Sequence, residues 1–231
     1  MFYYRYIKGG EPEDESFYAQ YGTFVHDLID KANKKMISAS KVLEEYSSEY
    51  NKKITASVDP ELEDAYFFAG YEYFSDFKGV IPGAEIIESE TKHIILNENL
   101  EFSGIIDMVV KLPGGEIAIV DHKSTASRYF RGKTGDSKFR QLYIYAEILK
   151  QEKGYYPDKL IFNCFREKKL ITRDFDKSCH SAVMAWMNNM VRQINSDIEN
   201  FSDSENEWLA FPTYYWCKNI CEHRSICTEV N

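Results

Sequence analysis

Residues 104–125, GIIDMVVKLPGGEIAIVDHKST, decide how the chain folds. Two apolar runs flank Pro113-Gly114-Gly115, which is turn chemistry, so the stretch reads as two antiparallel strands. Ile105, Ile106, Met108, Val109 and Val110 make the first strand apolar on both faces, the pattern of a strand covered on both sides. Asp107, Asp121 and Lys123 nevertheless sit inside this pair. A turn centred on Gly114 sets position 107 opposite position 121, since the two are equidistant from it. Cross-strand partners share a face, with Cβ atoms ~5 Å apart, and Lys123, two residues past Asp121, shares it too. Two carboxylates so placed repel each other unless a cation lies between them. A lone buried carboxylate also needs compensation. Hard oxygen ligands favour Mg2+ or Mn2+, and an ammonium alongside can hold or deprotonate a water or steady developing negative charge. The competing reading is a solvated strand face with an incidental salt bridge, which fits poorly with a strand apolar on both sides.

Outward from this pair the hydrophobic period defines the other elements. Residues 84–96, 100–112 and 116–124 read as three strands joined at Asn97-Glu98-Asn99 and at 113–115. Upstream, 16–50 has helical spacing, with Phe24, Leu28, Ile29 and Ala32 near one stripe. Residues 59–78 open with Asp59-Pro60, a cap followed by proline at the first helical position. The aromatic load there (Tyr66, Phe67, Phe68, Tyr71, Tyr73, Phe74 and Phe77) predicts a largely buried helix, stopped at 79–83. Downstream, 127–138 reads as a polar loop, 139–154 as a helix, 158–175 as a hairpin and 176–201 as a long amphipathic helix. The order predicts one α/β domain with a mixed central sheet flanked by helices. Within it, 1–83 is a helical N-terminal part, 84–175 the sheet core, and 176–231 a C-terminal helix and cysteine tail.

The 231 residues are 44% hydrophobic, enough for a full core, and carry a formal charge of −9, which argues against a passive nucleic-acid coat. No run approaches the ~18 apolar residues of a membrane span. The N-terminus lacks the apolar stretch of a signal peptide, so a cytoplasmic location is the default expectation. Arg128, Arg131, Lys133 and Lys138 form a basic segment beside the acids, either a phosphate grip or a solvated connector. Three of the five cysteines, Cys217, Cys221 and Cys227, crowd the last fifteen residues, a pattern that suggests metal before disulfide. Cys164 and Cys179 read as core or surface residues.

The spacing of G-I-I-D (104–107) and V-D-H-K-S-T (120–125) resembles the core of the PD-(D/E)XK nucleases, specifically their RecB-type branch, which includes AddB-like and CRISPR-associated exonucleases. Two further motifs stand where that branch has them. Gly22-Thr23-Phe24-Val25-His26 matches its Gly-x-x-x-His, and Gln141-Leu142-Tyr143-Ile144-Tyr145 its Gln-x-x-x-Tyr. The resemblance implies a restriction-endonuclease-like fold and a metal-dependent deoxyribonuclease. In it His26, Asp107, Asp121 and the backbone carbonyl of His122 hold Mg2+ or Mn2+, and the imidazole favours Mn2+. Lys123 helps activate water, Gln141 orients the lysine or a phosphate, and Tyr145 contacts the scissile strand. Glu90 is the candidate assisting acid, with Glu88 equal to it by strand parity.

The resemblance also implies action on DNA ends or single strands, in recombination, repair, phage replication or CRISPR adaptation. A helicase, recombinase or CRISPR-adaptation protein is then a partner, and no membrane is involved. The competing function is a non-catalytic DNA-end-binding or assembly subunit that keeps the fold; an RNA-directed nuclease is the weakest reading. The tail resembles the branch's [4Fe–4S] motif with one extra residue in its first gap. The fourth, N-terminal cysteine of that motif is either lost or lies before Met1. Zinc held by the three cysteines with His223, or free thiols, are the other readings.

Overall fold

A computed structural model of the chain describes residues 9, 15–97, 100–201, 217, 221 and 223. Five strands form one sheet in the order β1-β2-β3-β4-β5: Glu85–Asn97, Leu100–Lys111, Ile117–Lys123, Lys159–Cys164 and Lys169–Asp174. β1, β2 and β3 are successively antiparallel, β3 and β4 are parallel, and β4 and β5 are antiparallel. The sheet is therefore mixed, and helices cover both faces, as the restriction-endonuclease-like expectation required.

On one face pack α1 (Phe17–Asn33), α2 (Val42–Lys53) and α3 (Pro60–Ser75). Phe24, Leu28, Tyr46 and Phe74 bury there against Met108, Val110, Ala118 and Val120. On the other face lies α4 (Gly132–Lys153), the crossover between the parallel strands, followed at its side by α5 (Lys177–Phe201). Phe139, Leu142, Ala146 and Val183 bury against Ile106, Val109, Ile119 and Phe162. Among the described residues no helix is long and apolar enough to cross a membrane.

Local chemistry explains the boundaries. Asp59 caps α3, its Oδ1 accepting from the amides of Glu61 and Leu62, with Pro60 at the first position. The helical stretch at 16–50 divides into α1 and α2, because the chain turns at Lys35, which takes a left-handed φ of 58°. α3 is less buried than its aromatic load predicts. Tyr66, Gly70 and Phe74 face the core, whereas Phe68 and Tyr71 are exposed. The expected loop at 127–138 is also mostly helix: a 3-10 turn spans Ser127–Phe130 and α4 begins at Gly132. Gly135 looks like a loop residue but serves packing, since a Cβ there would collide with the backbone carbonyl of Phe130. The basic segment is therefore a turn and a first helical turn rather than a free connector.

Gly70 is the tightest helix contact. A Cβ on it would enter the ring of fully buried Tyr46, whose hydroxyl donates to the Phe67 carbonyl at 2.9 Å. Gly70→Ala gains about 1 kcal/mol of helix propensity but overpacks the core at a cost of about 1–3 kcal/mol. At the middle of that range the net cost is about 1 kcal/mol, which lowers the melting temperature by roughly 2–4 °C in a thermal denaturation scan. An unchanged or raised value would mean that the Tyr46 ring yields freely.

Candidate active site

The β2–β3 ladder runs Lys111↔Ile117, Val110↔Ala118, Val109↔Ile119 and Met108↔Val120, the register expected from a turn centred on Gly114. The ladder ends there, one step short of the expected Asp107–Asp121 pair. Asp107 Oδ2 accepts instead from the His122 amide at 2.7 Å, so a side chain replaces the backbone bond. Gly104, the first residue of the opening motif, makes room for α4: a Cβ there would lie 3.4 Å from the Tyr145 ring.

Strand alternation breaks at this point. Met108 and Val110 bury with α1, yet Ile106 buries with α4. Across β1, Ser89 pairs with Met108 and Thr91 with Ile106, which leaves Glu90 facing Asp107 between them. Glu90 has a φ of 45°, a left-handed conformation that costs a non-glycine residue about 1–3 kcal/mol. That kink delivers its Oε1 to within 3.2 Å of His26 Nδ1. Glu88, equal to Glu90 by parity, goes elsewhere: its carboxylate meets Lys153 Nζ at 2.5 Å and His93 Nε2 at 3.3 Å, at the far end of α4.

His26 projects from α1, one turn after Gly22. Its Nε2 donates to the His122 carbonyl at 3.0 Å, and its Nδ1 lies 3.6 Å from Asp107 Oδ2. Ligand atoms of His26, Glu90 and Asp107 all lie within 4.8 Å of one another, the one such trio of His, Cys, Asp or Glu groups among the described residues. Asp121 stands beside this trio rather than in it. Its buried Oδ2 is 2.6 Å from Lys123 Nζ, which also donates to Gln141 Oε1 at 3.1 Å. Gln141 Nε2 in turn donates to Tyr145 OH at 2.8 Å, so the two helical motif residues form one chain leading to the lysine.

The electrostatics of the trio suit a cation. Burial, then the neighbouring Asp121 charge, pushes the Asp107 carboxyl up to about 7. Burial likewise raises Asp121, against the opposing field of Lys123. Burial opposes a charge on His26, but the Glu90 hydrogen bond and the Asp107 and Asp121 carboxylates outweigh it and raise its pKa. Such an imidazolium donates on both sides and holds two carboxylates together, the role a divalent ion would take. An oxygen-rich donor set with one imidazole, half-buried around a buried Asp107, fits Mg2+ or Mn2+. Burial also lifts the Tyr145 phenol to about 12, so it stays protonated.

Two further residues support the site. Asn163 Nδ2 donates to Tyr73 OH at 2.9 Å and to His122 Nδ1 at 3.2 Å. The His122 ring, kept neutral by burial, is thus held on the α1 side, and its carbonyl faces His26. Sequence reasoning passed over Asn163. The signal was a polar residue inside the apolar strand LIFNCF, in register with His122.

Cys217 and Cys221 are free, half-buried thiols, and they form no close trio with His223 among the described residues. Cys227 lies outside the described residues.

A family model described as the PD-(D/E)XK nuclease superfamily matches residues 1–228. No curated protein matches the chain.

Proposed function

Because the chain belongs to the PD-(D/E)XK nuclease superfamily, whose members are typically metal-dependent nucleases, we propose that it is a deoxyribonuclease of the RecB type, acting on DNA ends or single strands. The observation that carries this reading is the convergence of His26, Glu90 and Asp107 within 4.8 Å, beside the Asp121–Lys123 ion pair. A divalent ion bound there supplies Lewis-acid polarisation of the phosphate and a more acidic water. His26, Asp107 and Glu90 would hold it, with Asp121 beside them in its ion pair with Lys123. Lys123 then positions and helps deprotonate the water that attacks phosphorus in line, and the P–O bond opposite breaks. Gln141 sets the lysine's direction, and the protonated Tyr145 offers a hydroxyl to the scissile strand.

AddB-like or CRISPR-associated kinship, a helicase or recombinase partner, and cytoplasmic residence are extensions of this proposal that rest on the motif resemblance. A [4Fe–4S] cluster or zinc on Cys217, Cys221 and Cys227 rests on their spacing alone.

Incubation with linear duplex, closed circular and single-stranded DNA tests the proposal. With Mn2+ or Mg2+ the protein degrades linear and single-stranded DNA, spares closed circles, and stops on addition of EDTA. An RNA of the same sequence is the comparator. Inertness toward every DNA under these conditions, with binding to ends retained, would instead favour an assembly subunit without catalysis.

A further inference from the structure

Four residues beyond Lys123, the 3-10 turn Ser127–Phe130 is anchored at both ends and exposed in the middle. Ser127 is buried, with its amide donating to Glu167 Oε1 at 3.0 Å and its hydroxyl to Glu167 Oε2 at 2.6 Å. Phe130 is buried too, its ring centroid 4.4 Å from that of Phe162. The ring of Phe162 also lies under Lys123 Nζ, at 5.9 Å. One aromatic ring therefore separates the turn from the lysine, at the carboxyl ends of the parallel strands β3 and β4, where α/β sheets bind ligands.

Between the anchors, Tyr129 is 50% exposed. Arg128 packs against it, with the guanidinium 5.0 Å from the ring centroid and Nη2 donating to the hydroxyl at 3.2 Å. A scattered surface aromatic means little by itself. Here the backbone on both sides is fixed, a cation lies over the ring, and half of the residue stays exposed on a turn that one aromatic ring separates from Lys123. Bases inside a duplex are already stacked on one another. An unpaired base has a free π-face, and stacking it on a tyrosine is sequence-tolerant.

We propose that Tyr129, braced by Arg128, is a stacking platform for an unpaired base next to the scissile phosphate, and that it makes the site prefer single-stranded DNA over duplex. Tyr129 is a specificity residue that touches the nucleic acid but not the reacting atoms. The proposal rests on the nuclease reading above.

The test is binding of fluorescein-labelled oligothymidylate, and of a blunt duplex, by fluorescence anisotropy with Ca2+ replacing Mg2+. Tyr129→Ala weakens oligothymidylate binding by about tenfold and leaves the duplex unchanged. Tyr129→Phe and Tyr129→Trp keep wild-type affinity, because the π-face rather than the hydroxyl carries the contact. Equal affinity of Tyr129→Ala and wild type for oligothymidylate, equal losses on both DNAs, or a Tyr129→Phe loss matching that of Tyr129→Ala would overturn the platform alone. A wild-type protein that neither binds nor cuts DNA would overturn the nuclease reading together with it.

Discussion

Asp107→Asn and Asp121→Asn abolish DNA cleavage, and Lys123→Ala comes close to doing so. Asparagine keeps the shape of aspartate, and at 107 its carbonyl still accepts from the His122 amide, so the kinked strand pair keeps its hydrogen bond. What disappears is charge. A divalent ion contributes several kcal/mol of charge stabilisation to the transition state, and each ~1.4 kcal/mol is tenfold in rate, so a loss of at least about 10³-fold is expected. Removing Lys123 takes away one proton-handling group, a loss of about 10²–10⁴-fold. The folded state does not suffer from the Asp107 change. Burial disfavours the ionised carboxyl there, so in metal-free buffer at pH 8 Asp107→Asn melts no lower than wild type. Initial rates on end-labelled DNA with Mn2+ supply the check. Wild-type rates in any of these variants would assign the activity to a contaminant or to another site.

Metal affinity climbs steeply through neutral pH. Protonated Asp107, poised near 7, does not ligate, and His26, also raised, carries a proton that an ion must displace. Both shifts act in the same direction. Below neutrality the protons hold the site, and as pH rises they leave and the affinity for the ion grows. For each proton displaced, affinity rises about tenfold per pH unit below that group's pKa. With Asp107 poised near 7, its proton alone lowers the dissociation constant for Mn2+ by about tenfold between pH 6 and 8, and displacement of the His26 proton adds to that. Isothermal titration in buffers of different ionisation enthalpy measures the released protons directly. A dissociation constant flat across that range, with no proton release, would remove His26 and Asp107 from the ligand set. Asp107→Asn and His26→Gln each make the profile shallower, so the two contributions separate.

The pairing that organises the site was legible in the residues. A Pro-Gly-Gly turn between two apolar runs dictates which positions meet, and the observed ladder follows that register from Lys111↔Ile117 to Met108↔Val120. The Asp59-Pro60 start of α3 was legible for the same reason: capping is a contact between near neighbours in the chain. The Gln141–Tyr145 bond also follows from helical spacing, which sets residues four apart on one face. Where the expectations missed, distant parts of the molecule intervened. The polar run at 127–138 suggested a loop, but Ser127 is anchored by Glu167 and Phe130 by Phe162, and the helix begins at Gly132. Phe68 and Tyr71 suggested burial, but the layers beneath α3 cover only the side carrying Tyr66, Gly70 and Phe74.

By itself, then, the order of residues determined the strand pairing that leads to the acids at 107 and 121 and the helix bearing Gln141 and Tyr145, because these follow from local periodicity and tight turns. Only the tertiary structure decided that Glu90 rather than Glu88 meets His26, that Asp121 is held by Lys123 beside the His26–Glu90–Asp107 trio, and that Asn163 fixes His122. The physical reason is one kink. A left-handed residue other than glycine has no signature in hydrophobic period; it is met by His26 of α1, which becomes its neighbour only when the helix packs on the assembled sheet.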